Sequence, residues 1–195
     1  MRIRRISTLF NTYRASGDEK RIRIILDNYQ RFIPLVDAYE FGLIDTIKAE
    51  RKYNRMEENG DLGVRVQTSC VSNPTATEGD EEEEIQRAVR NGDYITALRG
   101  ADRFEEHKSE ILTLVDMRTT YALVEKQVES LNGDDVLFRR YLDHEFDLTT
   151  IAESEGVTID AIKQRFRKTR SDVIENTLFC INLKKPYYYL EQKGA

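Results

Sequence analysis

The segment LTTIAESEGVTIDAIKQRFRKTRSDV, residues 148–173, constrains this chain more tightly than any other stretch. It reads as two short helices joined by a tight turn. Leu148, Ile151 and Ala152 recur at helical spacing and mark the buried side of the first helix. Gly156 breaks it, because glycine takes the positive-φ backbone of a helix C-terminus without a Cβ penalty. Val157 is the apolar residue beside the turn. Thr158 suits the N-cap of the second helix, and Asp160 stands near its positive end. Ile162, Phe166, Thr169 and Val173 then share one face, which leaves Lys163, Gln164, Arg167, Lys168 and Arg170 largely outward.

Composition sets the class around this segment. The chain has 195 residues, a third of them charged, with three Pro and ten Gly. That balance suits helices with narrow buried stripes more than a thick α/β core. No apolar run approaches a membrane span and no apolar stretch follows the basic start, so neither membrane insertion nor a signal peptide is expected. Cys70 and Cys180 lack metal spacing and are too few for a disulfide framework, so a reducing cytoplasm is the expected compartment.

The rest of the chain also reads as helix. In residues 18–58, Ile25, Tyr29, Phe32, Val36, Tyr39, Leu43 and Ile47 form a stripe of helical period, with Pro34 expected to kink or break it near Phe32. Residues 61–80 read as a linker, with VRV at 64–66 a short strand at most. Thr77 or Asp80 is expected to cap the next helix, and Glu81 to Glu84 to form its solvated start. A break is expected at Asn91-Gly92 or Gly100, then one long helix from Ala101 to Leu131 on Leu114, Met117, Tyr121, Val124, Val128 and Leu131. Residues 134–144 form a further helix with Val136, Leu137, Tyr141 and Leu142 inward. The last helix is expected to end at Pro186. The expected organisation is therefore a helical segment over 1–60, a linker over 61–80, a long helical segment over 81–132 and a C-terminal unit over 133–185. The fold class is all-α, with a helical hairpin or coiled-coil-like body whose stripes pair within one chain or between two. A homo-oligomer is expected, with a dimer favoured.

An exposed face of long donors on the second helix is what a helix-turn-helix needs to enter a major groove. The net charge of −5 opposes nucleic-acid binding only if spread evenly, and it is not. Basic residues gather in residues 1–25 and 157–187, while a dense block of acid lies between Glu78 and Glu84. Base-edge reading falls to Ile159, Asp160, Lys163 and Gln164, beside the capping Thr158. Arg165, Arg167, Lys168 and Arg170 are expected to hold phosphates, with at least one of them turned to the protein. The basic N-terminus is expected to be frayed and solvated, or else a groove-tracking arm. His107 and His144 are expected at the surface, and Tyr187 to Tyr189 in a packed tail. No phosphate-cradling loop, metal set or nucleophile elbow is present, so no catalytic residue, metal or cofactor is expected.

The stretch FRRYLDHEFDLTTIAESEGVTIDAIKQRFRKTRSDV resembles region 4 of the bacterial sigma-70 family. Ile151-Ala152 match its buried pair, Gly156-Val157-Thr158 its turn and cap, and Lys168-Thr169-Arg170 its basic–small–basic run. The wider layout, with a linker reading VQTSCVSNPT, is similar to phage-encoded sigma-like regulators of the ArpU type; Asn73 stands where that group has an acidic residue. The resemblance implies a transcription regulator of phage late genes that binds double-stranded DNA, with RNA polymerase a further partner. Two other readings share some features: a phage small terminase subunit, which joins DNA binding to helical oligomerisation, and a helical protein-interaction adaptor whose basic face is merely solvated.

Overall fold

The computed structural model describes the backbone of residues 2–58 and 74–191, and the side chains of residues 6–57 and 79–183. Every regular element among them is helical, as expected. In chain order these are α1 (Arg2–Arg14), α2 (Asp18–Asp27), α3 (Tyr29–Glu58), α4 (Pro74–Asn91), α5 (Tyr94–Ala97), α6 (Phe104–Glu129), a 3-10 turn (Gly133–Asp135), α7 (Val136–Leu142), α8 (Leu148–Glu155) and α9 (Ile159–Glu191). The VRV stretch, Cys70 and Asn73 lie outside the described residues, as do the side chains of Tyr187 to Tyr189. The chain divides into two compact units, Met1–Leu35 with Arg118–Ala195, and Val36–Met117.

In the first unit the N-terminus is not frayed over its described side chains. Phe10 and Tyr13 of α1 are buried. Arg21 of α2 reaches back, its Nε donating to the Tyr13 carbonyl at 3.3 Å and its guanidinium lying over the Tyr13 ring. Tyr13 meets Phe32, and Phe32 stacks on Tyr121 with ring centroids 5.8 Å apart. The basic residues at 2–5 suggest a loose arm, but the anchors that follow them, Phe10 and Tyr13, are apolar, three apart and buried.

The interruption expected at Pro34 occurs at Asn28 instead. The Asn28 side chain donates to the Ile24 carbonyl at 2.8 Å, offering the backbone an alternative to the helical ladder. Pro34 lies in the second turn of α3, where its missing N–H costs only the bond to the Gln30 carbonyl. Pro186 likewise does not end α9, which continues to Glu191.

The second unit is built on α3, α4, α5 and the start of α6, around Ile44, Ile47, Ile85, Val89, Leu98, Ile111 and Leu114. Helix α4 begins at Pro74, inside the expected linker; proline fits a first helical position because that N–H has no partner there. Glu81 and Glu82 are not simply a solvated helix start. Glu81 pairs with Arg51 and Arg55, and Glu82 with Lys48, while Glu83 and Glu84 are exposed. Arg51 also donates to the Thr96 and Ala97 carbonyls at 2.8 and 3.0 Å, satisfying the end of α5. A break is expected at Asn91-Gly92 or at Gly100; the helix is interrupted at both, with Gly92 and Gly100 at φ of 74° and 75°.

His107 departs most from expectation, being buried at 2 % exposure. Its Nδ1 lies 2.9 Å from Glu110 Oε2, and its Nε2 lies 3.2 Å from both Glu50 oxygens. Arg103 donates to Glu50 as well, and Tyr39 donates to Glu110 at 2.7 Å. Apart from Glu110, three residues from His107, these partners are 53 to 71 positions apart in the chain, so no local pattern announces them. Within this unit Tyr39 faces Glu110 while Glu50 faces Arg103 and His107, so α3 and α6 run in opposite directions. His144, by contrast, is exposed as expected.

Burial raises the Glu50 carboxyl, and hydrogen bonds from Arg103 and His107 more than offset it, holding the group below its ordinary value. A carboxyl depressed in the folded state contributes stability that is present above its unfolded pKa and lost as pH falls through the folded value. Glu50→Gln should cost about 1–3 kcal/mol at neutral pH by leaving the Arg103 guanidinium without its carboxylate. It should also shrink the loss of stability below about pH 4.3. Urea unfolding at pH 7 and pH 3.5 tests this; a variant with the same pH dependence as the parent protein would exclude the role assigned to Glu50.

Candidate nucleic-acid interface

Helix α8 starts at a capped end. The Thr150 N–H donates to Asp147 Oδ1 at 2.7 Å, and the Thr150 bonds hold the Asp147 carboxyl below its usual value. Ile151 and Ala152 are buried. Gly156 then takes φ 65° and ψ 29°, its N–H donating to the Glu153 carbonyl, while the Val157 N–H donates to the Ala152 carbonyl at 3.1 Å. These bonds close the helix end in the left-handed manner that glycine serves best. Thr158 Oγ1 accepts from the Ala161 N–H at 3.3 Å and caps α9.

The buried ridge of α9 is Ile162, Phe166, Thr169 and Val173, all four at or below 6 % exposure. Phe166 packs edge-on against Phe138 and tilted against Tyr141, each centroid 5.3 Å away. Thr169 Oγ1 donates to Asp135 Oδ1 at 2.6 Å, joining α9 to the 3-10 turn. On α7 the inward pair is Phe138 and Leu142, whereas Val136, Leu137 and Tyr141 are only half-buried. The expectation placed those three inward and overlooked Phe138. Residues 133–135 form a separate 3-10 turn, so α7 begins at Val136 with a different phase from that of a helix starting at 134.

With that ridge fixed, the expected contact residues divide. Thr158, Ile159, Asp160, Lys163, Gln164, Arg167 and Lys168 are exposed. Lys163 Nζ lies 3.4 Å from Asp160 Oδ1, a surface pair of little energetic weight. Arg165 and Arg170, expected to hold phosphates, are turned to the protein. Arg165 lies 3.1 Å from Asp134 Oδ2, without hydrogen-bond geometry, and 3.7 Å from Glu155. Arg170 donates to Asp27 Oδ1 at 2.7 Å and to the Arg23 carbonyl at 3.3 Å. The position of Arg165 opposite Lys163 on the helical wheel hinted at its inward turn. The Asp27 partner of Arg170 lies 143 residues away in the chain and left no signal.

Charge separates along the same lines. Val36–Met117 holds 10 basic and 19 acidic residues, against 20 and 16 in the remainder of the chain. The unit that contains α9 is therefore net positive, and the other strongly negative. Among the described residues no group of His, Cys, Asp or Glu could hold a metal ion, and no helix is long and apolar enough to cross a membrane. No protein-family model matches this chain, and neither does any curated protein or solved structure.

Open space surrounds the position where a Cβ would stand on Gly156, so the cost of substitution there is conformational alone. Gly156→Ala should destabilise by about 1–2 kcal/mol through its left-handed backbone, and Thr158→Ala by about 1 kcal/mol through the lost cap. Chemical denaturation of each variant measures both. A neutral Gly156→Ala would show that the turn relaxes to another geometry.

Proposed function

We propose that this chain is a sequence-specific DNA-binding transcription regulator, with α8 and α9 acting as a helix-turn-helix of the sigma region-4 kind. The observation that carries the reading is the outward row of α9. Lys163, Gln164, Arg167 and Lys168 are exposed on a capped helix whose opposite ridge is locked against the body. Lys163 and Gln164 stand near the N-terminal part of α9, where a recognition helix meets base edges. Lysine donates to guanine and glutamine pairs with adenine, while Ile159 offers a thymine methyl an apolar contact and Asp160 accepts from cytosine. Arg167 and Lys168 hold phosphates. Arg165 and Arg170 position the helix rather than touch DNA.

The resemblance to phage sigma-like regulators makes late-gene promoters the target and the bacterial cytoplasm the place of action. The acidic unit, residues 36–117, would be repelled by DNA and is the better candidate for contact with a protein, either a second copy or RNA polymerase.

Lys163→Ala or Gln164→Ala should cost about 1–3 kcal/mol on the cognate site and relax discrimination there. Arg167→Ala or Lys168→Ala should weaken every sequence alike and flatten the salt dependence by about one unit each. Binding to DNA from the gene's own neighbourhood and to random DNA, across a salt series, reads both effects. If the two pairs of variants behaved identically, this division of α9 would fall. If the parent protein bound no DNA at low salt, the regulator itself would fall.

A further inference from the structure

A hollow of about 200 Å³ opens beside α9, where the corner between α2 and α3 meets α7. Asn28, Gln30, Arg31, Tyr141, His144 and Arg170 line it. It has room for a group of several heavy atoms, since one water occupies about 30 Å³ in the liquid. Its polar lining sets the donors of Arg31, Tyr141 and His144 among the acceptor oxygens of Asp27, Asn28 and Gln30. Asp27, the carboxylate at its wall, is engaged by Arg170, and the Gln30 amide donates to the Asp143 carbonyl. Arg31 is exposed, and neither its guanidinium nor the Tyr141 hydroxyl nor the His144 ring has a hydrogen-bond partner among the described residues.

We propose that this hollow, rimmed by Arg31, Tyr141 and His144, seats a phosphate group. A guanidinium matches the oxygens of a phosphate in a two-pronged geometry, and the hydroxyl and imidazole add donors from the opposite wall. A helix in the major groove is bordered by a phosphate backbone on each side. The two flanks of α9 differ. One carries Asp134 and Glu155 around Arg165, and the former is 86 % exposed. The other carries Arg170 and the hollow. A backbone passing the second flank meets the exposed Arg31 beside an Asp27 already engaged by Arg170, and one passing the first meets Asp134 and Glu155. The phosphate is therefore either a diester of the bound duplex or a free phosphoryl group. The first source rests on the reading of α9 as the DNA-facing helix, and the second does not.

Full-length protein and the variants Arg31→Ala and Arg31→Lys would be titrated with cognate and random duplex over a salt series. Each would then be titrated without DNA against inorganic phosphate, following the His144 imidazole by NMR. Arg31→Ala is expected to weaken both duplexes by the same factor and flatten the salt slope by about one unit. Arg31→Lys is expected to regain most of the slope but less of the affinity, because it keeps the charge and loses the fork. A His144 signal that saturates with phosphate in the parent protein and not in Arg31→Ala supports the seat independently of DNA. If the parent protein bound no DNA but its His144 saturated with phosphate, the regulator reading would fail and the seat would stand. If Lys163→Ala relaxed selectivity while Arg31→Ala matched the parent protein in both titrations, the seat would fail and the regulator would stand.

Discussion

Phe166 lies against the rings of Phe138 and Tyr141, and this contact fixes how α9 is rotated about its own axis. A helix 100° out of phase would present Phe166 and Ile162 to water and turn its lysines and arginines into the body. The aromatic pairs add roughly 0.5–1.5 kcal/mol each beyond the area they bury. Their larger consequence is geometric. Phe138 holds the ring edge-on, Thr169 is tied to Asp135 one turn further along, and Ile162 and Val173 continue the same ridge. Four positions spaced along three turns leave one rotation that satisfies all of them. The outward row is what remains.

Arg165 and Arg170 sharpen that rotation from the sides. Each sits at the edge of the ridge and pairs with a carboxylate from another element, Arg165 with Asp134 and Glu155, Arg170 with Asp27. Exposed pairs of this kind contribute about 0–1 kcal/mol, too little to hold a helix in place. They do decide which cations a partner finds available. Of the positive charges between 163 and 170, those of Lys163, Arg167 and Lys168 remain directed outward, and the two bracketing arginines are spent on the protein. Assigning phosphate contacts by counting basic residues on a helix would have overstated the surface by two.

Much of this was legible in the chain. The ridge of α9, the glycine turn and the threonine cap follow from periodicity and local chemistry, which act within a few residues. The apolar stripes of α3 and α6 were legible for the same reason, since Val36, Leu43, Ile47, Leu114, Met117 and Val124 are all buried. What was not legible depends on distant pairing. His107 reads as an isolated surface histidine because Glu50 stands 57 residues before it. The N-terminal helix reads as a loose basic arm because Tyr13 is covered by Arg21 and Phe32 rather than by its immediate neighbours. The helix break moved from Pro34 to Asn28 because a side-chain hydrogen bond outweighed the familiar proline signal.

The acidic unit shows the complementary logic. Glu40 is 2 % exposed and pairs with Arg90, and His107 is buried between Glu50 and Glu110. Replacing such groups by well-packed apolar side chains is often neutral or stabilising, so their presence is weak evidence for stability. They specify register instead. An apolar stripe on α3 tolerates sliding against α6 by a turn with little change in burial, whereas the Tyr39–Glu110 and Glu50–His107 contacts are satisfied together in one register only. A slip would strand a histidine and two carboxylates in a poorly solvated place, at about 1–3 kcal/mol for each group left unmatched. In α9 the ridge is shaped enough to fix the helix by packing alone. In α3 and α6, long and repetitive, buried charge does the fixing, and the two solutions divide between the two units.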